Sequence, residues 1–259
     1  MLAELYLRLE RWADARRVSE SLMAIPELTA DERLEAMARG AQAILGQGDL
    51  DAARDASRTA LRFARRRGEE EIRNTFFTAA ANYVYAETVR LRAEGIEVPP
   101  GTLETQRDAL ESRAQLVLDA QREYFNTMRF RHSYWSAAAG YRIGSMYDSM
   151  WSSIDTAPVS LPDEDYSEAD EAYYREVYRE RLRLHIKPLL RHSIRYWELT
   201  LRMVERTGVQ TQWTADIRRD LERVRALLTE QPEEETEPAE SPSPNSGASA
   251  PEEASNSGS

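Results

Sequence analysis

Small and large apolar residues alternate along this chain at helical spacing, and one stretch shows the pattern most plainly. Met37, Ala41 and Ile44 share one face of a predicted helix, Gly48-Asp49 turns the chain, and Ala53, Ala60 and Leu61 share the facing side of a second helix. Ala41 and Ala53 are small enough for two antiparallel helices to approach closely, with Met37 and Ile44 filling the seam beside them. At Gly48 a left-handed backbone costs little. Residues 2–23 repeat the arrangement: Leu2, Ala3 and Tyr6 stand where Gly40, Ala41 and Ile44 do, and Ala15 and Leu22 match Ala53 and Ala60. The copies are 38 residues apart, with a short insertion near Pro26 to Asp31. The first copy lacks the front of its first helix, so the expectation is a natural start upstream of Met1.

Further along, a third helix is expected from about Glu69 to Glu94, carrying Ala80 and Tyr83 at the same offset of three. No orthodox partner helix is expected after it, because Gly95 to Gly101, with Pro99-Pro100, breaks the helix. Thr102 caps a new amphipathic run to Tyr124. Phe125 to Ile154 is rich in aromatics, and there Ile143, Gly144 and Tyr147 repeat the large–small–aromatic pattern. Thr156 to Pro162 reads as a loop, and Asp163 to about Ile186 as an inserted acidic-to-basic helix. Pro188 suits the first turn of the next helix, since inside a continuous one it would force a kink. Gly208 ends that helix, and Trp213 to Leu228 forms the last. The fold class is all-α: repeats over 1–94, a loop at 95–101, and a divergent helical region over 102–229. Residues 230–259 are a Glu/Pro/Ser segment without an aromatic, which cannot bury enough apolar area to order itself.

Charge changes this picture only locally. The net charge of −11 is concentrated in residues 230–259, which hold eight glutamates and no basic residue, leaving −3 for the rest. A body so nearly balanced is not expected to bind nucleic acid. Lys187 is the single lysine among 34 basic residues, which points to a high-GC coding bias. There is no cysteine, which excludes disulfides and thiolate chemistry, and no apolar run long enough to span a membrane.

The spacing of Met37, Ala41, Ile44, Gly48, Ala53 and Ala60 resembles the tetratricopeptide (TPR) repeat, which implies a helical-hairpin solenoid. The C-terminal half adds Tyr141-Arg142-Ile143-Gly144-x-x-Tyr147, Ala157-Pro158, Tyr178, Lys187-Pro188, Tyr196, Gly208 and Trp213. These resemble the ending of cell-envelope TPR proteins of myxobacteria and related gliding bacteria. The resemblance spans roughly residues 1–228. It implies a protein–protein scaffold in a bacterial envelope complex, with no catalytic residue or cofactor. Two departures stand against it: no signal sequence precedes the first helix, and the helix facing Tyr83 is not TPR-like. The alternative is a cytoplasmic TPR adaptor or regulator.

Candidate chemistry is sparse. His185 and His192 are seven apart with Pro188 between them and no carboxylate grouping to join them, and His132 lacks a triad context. An enzyme would need convergent polar groups that are not evident in sequence order. Asp163-Glu164-Asp165 and Glu168 to Glu171 lack a calcium loop's glycine and instead favour the start of a helix capped by Asp165 or Ser167. Gly46-x-Gly48 is a turn, and Gly140 and Gly144 form a small–x–x–x–small pair suited to close helix packing. Arg183, Lys187, Arg191 and Arg195 recur every fourth residue and would align as a basic stripe, with Leu182, Ile186, Leu189, Ile194 and Trp197 facing the core. That stripe is the candidate dock for an acidic partner or for the chain's own glutamate-rich tail. The aromatic run from Phe125 to Trp151 is expected to fill seams, whereas Tyr174 and Tyr178 are the surface candidates for a protein partner.

Overall fold

A computed structural model describes residues 2–159 and 167–230. Within these residues the chain forms nine α-helices and no strand: α1 Leu2–Arg8, α2 Trp12–Met23, α3 Ala30–Gly46, α4 Leu50–Glu71, α5 Thr75–Glu94, α6 Leu103–Arg129, α7 Ser133–Asp155, α8 Glu168–Thr207 and α9 Gln212–Glu230. The expected disorder of the tail, the start of the inserted helix at Asp163 and the cap candidate Asp165 lie outside the described residues.

Local chemistry sets many of the boundaries. Thr29 and Glu32 form a reciprocal capping box at α3, while Asp49, Asn74, Thr102 and Ser167 each accept a backbone N–H at the start of α4, α5, α6 and α8. Gly48 turns the chain with φ 84°, and Gly208 closes α8 in the left-handed conformation. The helix expected from Glu69 begins instead at Thr75. Gly68, at φ 71°, interrupts α4 near its end, and the turn over residues 69–71 stays with α4. Ile72 is then buried in the core and Asn74 supplies the cap.

Each helix packs on the next, and the odd-numbered helices α1, α3, α5, α7 and α9 also touch in series. The backbones of the even-numbered helices do not approach one another in this way, although α6 and α8 touch through side chains, Gln121 Nε2 donating to Tyr196 Oη at 2.9 Å, so the molecule has one closed layer and one layer with gaps. The main core lies where α3, α5, α6 and α7 meet and includes Leu34, Tyr83, Tyr124, Trp135 and Ile143. A second core, built on Trp151, Ile186, Leu190, Trp197 and Ile217, joins α7, α8 and α9. Beyond the break at 95–101, the helix expected from Thr102 forms as α6 and lies antiparallel on α5. Asn82 donates to the Glu123 carbonyl at 2.9 Å and to Thr127 Oγ1 at 3.0 Å, while Arg113 on α6 reaches back to the Ile96 carbonyl at 3.1 Å.

The separate inserted helix is also corrected. Residues 168–207 form one continuous 40-residue helix, with Pro188 inside it. An interior proline costs about 3 kcal/mol. Here Pro188 is on the exposed side, and Ile186, Leu190, Ser193 and Trp197 are buried on either side of it, which offsets that cost by apolar burial.

The contact between α7 and α8 depends on the absence of two side chains. A Cβ at Gly140 would lie 2.0 Å from Thr200 Oγ1, and one at Gly144 would lie 2.3 Å from Trp197 Nε1. That indole nitrogen donates to the Tyr141 carbonyl at 3.0 Å. Gly144→Ala is therefore expected to destabilise the fold by about 1–3 kcal/mol through overpacking. Gly95→Ala, where the added Cβ meets only backbone atoms at 3.5 Å, is expected to stay within about 0.5 kcal/mol of the parent. Thermal unfolding followed by circular dichroism compares the two.

Candidate functional site

The gap between α4 and α6 forms an open groove of about 730 Å³, floored by α5. Arg58, Leu61, Arg62 and Arg65 line it from α4, Asn82 and Tyr85 from α5, and Glu123, Asn126, Arg129 and Phe130 from the end of α6. Its existence follows from the layering: α4 and α6 are separated by the helix beneath them, so their side chains face across an open gap. Helical spacing puts Arg58, Arg62 and Arg65 on one face of α4.

The groove is strongly cationic, with four guanidinium groups facing one carboxylate. Arg58 Nη2 donates to Tyr85 Oη at 3.0 Å and its guanidinium lies 5.1 Å from the Tyr85 ring centre, which fixes one arginine against the floor. Arg62 Nη2 donates to Thr59 Oγ1 at 3.0 Å. Glu123 is engaged by the Asn126 amide at 3.1 Å. Arg58, Arg62, Arg65 and Arg129 are exposed, and none is within ion-pair distance of a carboxylate among the described residues. With Leu61, Tyr85 and Phe130 between the charges, the groove offers apolar contact as well as charge.

Behind it lies a buried ionic network. Glu87 on α5 is only 4% exposed. Its carboxylate accepts from Arg90 Nη2 at 2.8 Å, lies 3.1 Å from Arg142 Nε on α7, and accepts the Tyr124 hydroxyl of α6. Arg142 also donates to Tyr83 Oη at 3.2 Å and sits 5.4 Å from the Trp213 ring, at the start of α9. Burial pushes the Glu87 carboxyl up, but Arg90, Arg142 and the hydrogen bonds outweigh it and hold the group below the usual carboxylate range. Burial, reinforced by the negative Glu87, raises the Tyr124 hydroxyl well above its ordinary range. Three helices thus converge on one carboxylate, and Arg142 links it to a fourth through the Trp213 ring.

The stripe read from the sequence does not form as a surface. Lys187 is buried, and Arg183 is held by Asp155 at the end of α7 at 2.6 and 3.3 Å. Only Arg191 and Arg195 of the four are exposed. The reason is rotational: the face of α8 that carries Arg183 and Lys187 is turned toward α7. Ile186 and Trp197 are buried, with Leu182, Leu189 and Ile194 packed around them. Tyr174 and Tyr178 are on the surface, as is Tyr173. Of the aromatic run, Trp135 and Trp151 are buried, while Phe125 is 40% exposed. The histidines are dispersed: His132 contacts the Phe76 ring, His185 bonds the Arg181 carbonyl and His192 lies against Tyr147. Among the described residues no group of three or more His, Cys, Asp or Glu is placed to hold a metal, and no helix is long and apolar enough to cross a membrane.

The groove was missed in the sequence although part of its signal was there, in Arg58, Arg62 and Arg65 at i, i+4 and i+7. Arg129 is 64 positions beyond Arg65, and only the packing of α5 between them brings the two walls together. The chain matches none of the protein families with which it was compared, and no curated protein matches it either.

Removing the Glu87 carboxylate leaves buried cations short of a partner, so Glu87→Ala is expected to cost about 3–5 kcal/mol in urea denaturation. Because the folded-state pKa is depressed, this stabilisation is fully present above the unfolded carboxylate pKa of about 4.3 and is lost as pH falls through the lower folded value. Acid titration of urea midpoints should therefore fall more steeply for the parent than for Glu87→Ala.

Proposed function

We propose that this protein is a TPR-like repeat scaffold that holds an acidic, partly apolar segment of a protein partner in the groove between α4 and α6. The observation that carries this reading is the set of four exposed guanidiniums facing one groove without internal carboxylate partners. Arginine forks bind carboxylates in fixed geometry, and Leu61, Tyr85 and Phe130 supply apolar contact between them. The two-layer stacking of successive helices supports the TPR-like description, since in such arrays each unit contacts chiefly its neighbours. The resemblance of the C-terminal half to envelope TPR proteins extends the proposal to a role in a bacterial envelope complex, which fractionation of source cells with an antibody to the chain would test.

The binding test uses a short fluorescein-labelled peptide rich in glutamate and leucine, read by fluorescence anisotropy with the full chain. Affinity should fall as salt rises from about 50 to about 300 mM, because exposed charges are screened. The double charge reversal Arg62→Glu/Arg65→Glu is expected to weaken binding at least tenfold, about 1.4 kcal/mol. Arg191→Glu/Arg195→Glu on α8 should leave it within about twofold. Equal loss from both pairs would mean that the peptide reads general surface charge, and unchanged affinity in the groove variant would reject the groove as the site.

A further inference from the structure

The α4–α6 groove presents four guanidiniums and one carboxylate, and the most acidic stretch of the sequence belongs to the same chain. Residues 231–259 hold seven glutamates and no basic residue. Five of them form a near cluster, Glu233, Glu234, Glu235, Glu237 and Glu240, and two form a far pair, Glu252 and Glu253. Charge makes groove and segment complementary. Reach decides which glutamates arrive.

Trp213, in the first turn of α9, has its ring 6.5 Å from that of Tyr83, which adjoins the groove-floor residue Asn82 in sequence. The start of α9 is therefore level with the groove. The helix then follows α7, with Arg223 paired to Asp148, and ends at Glu230. The 17 residues from Trp213 to Glu230 carry it about 26 Å away along its axis. Sideways, α9 touches α7 and α7 touches α5, so about two helix spacings of 8–10 Å separate α9 from the groove floor. Glu230 is thus about 30 Å from the groove in a straight line through packed helices, and farther around them. A chain advances at most about 3.5 Å per residue, so even Glu240 reaches only about 35 Å from Glu230. The near cluster falls short of the route around the surface. Glu252 and Glu253, 22 and 23 residues beyond Glu230, reach up to about 80 Å and have length to spare.

We propose that Glu252 and Glu253 occupy the α4–α6 groove when no partner is bound, pairing with the arginines of its walls. This rests on the reading of the groove given above and adds its regulation. The pair brings charge without bulk: residues 231–259 contain no aromatic residue and no Leu, Ile, Val or Met. Leu61, Tyr85 and Phe130 gain little from it, so a ligand carrying both carboxylates and large apolar side chains displaces it. A ligand that is merely acidic competes with a tethered pair of the same charge and gains no advantage over it. The segment thereby raises the groove's selectivity for acidic partners that are also apolar.

Disulfide trapping tests the contact without any partner, because the chain has no cysteine of its own. Full-length Asn126→Cys/Ala254→Cys at about 1 µM and about 50 mM salt should close an internal disulfide under mild oxidation, read as a shifted monomer on a non-reducing gel. Adding Arg62→Glu/Arg65→Glu, or Glu252→Gln/Glu253→Gln, should slow closure at least fivefold. Replacing the five near glutamates by glutamine should leave the rate within about twofold. Closure that ignores the groove and far-pair changes, or that slows as much with the near cluster, would overturn the proposal. The labelled glutamate–leucine peptide gives the consequence. At about 100 mM salt, where exposed charges more than about 10 Å apart are screened, it should bind Glu252→Gln/Glu253→Gln at least threefold tighter than the parent. The five near replacements remove more charge yet should shift affinity less than about 1.5-fold; a larger shift from them would mean that net charge acts, not docking. Failure of the peptide to bind either chain at the groove would reject the partner reading, while trapping would still decide the tethered pair.

Discussion

The Glu87 carboxylate is the point on which the arrangement of the central helices depends. An ionised carboxylate away from water is costly unless its oxygens are filled, and here Arg90, Arg142 and Tyr124 fill them from three helices. Apolar packing alone would tolerate small rotations of α5, α6 and α7 about their axes, because one methyl contact replaces another at little cost. A shared carboxylate does not, since a shift of about an ångström leaves a donor or acceptor unpaired. The Arg142 guanidinium extends the same constraint to α9 through the face of Trp213.

That constraint bears on the groove. Asn82 lies on α5 one turn or so before Glu87 and is held to α6 by two hydrogen bonds, so the floor and the α6 wall move as a unit. The α4 wall is joined to the floor through Arg58 and Tyr85. The guanidiniums themselves remain at the surface, where their charge is hydrated when the groove is empty and can be exchanged for a ligand's carboxylates. Rigid walls carrying hydrated charges lower the ordering cost of binding while keeping it responsive to salt.

Elsewhere close approach replaces charge. Trp12 lies over Gly46, Thr200 over Gly140 and Trp197 over Gly144, at distances that leave no space for a Cβ. The contact of α7 with α8 is the most extensive between any two helices, and it carries the long α8 past its internal proline. The part of α8 before that contact carries its Ser167 cap and ion pairs such as Glu171–Arg175.

Much of this was legible locally. The all-α class, the hairpin turn at Gly48, the caps at Thr102 and Ser167, the stop at Gly208 and the tight glycines of α7 all follow from steric and hydrogen-bonding needs of a few neighbouring residues, and the sequence by itself determined them. The failures share a different cause. Pro188 looked like a helix start because its local cost is high, but burial of Ile186, Leu190 and Trp197 against α7 and α9 outweighs it. Arg183 and Lys187 looked like part of a surface stripe because periodicity fixes which residues share a face, not which neighbour that face meets. Nothing in the order of residues singles out Glu87, Arg90 and Arg142, or relates Arg65 to Arg129; packing buries most of the first set and places the second across one gap. Only the tertiary structure could decide these, because burial and pairing are properties of residues far apart in the chain, whereas propensity and capping are properties of residues close together.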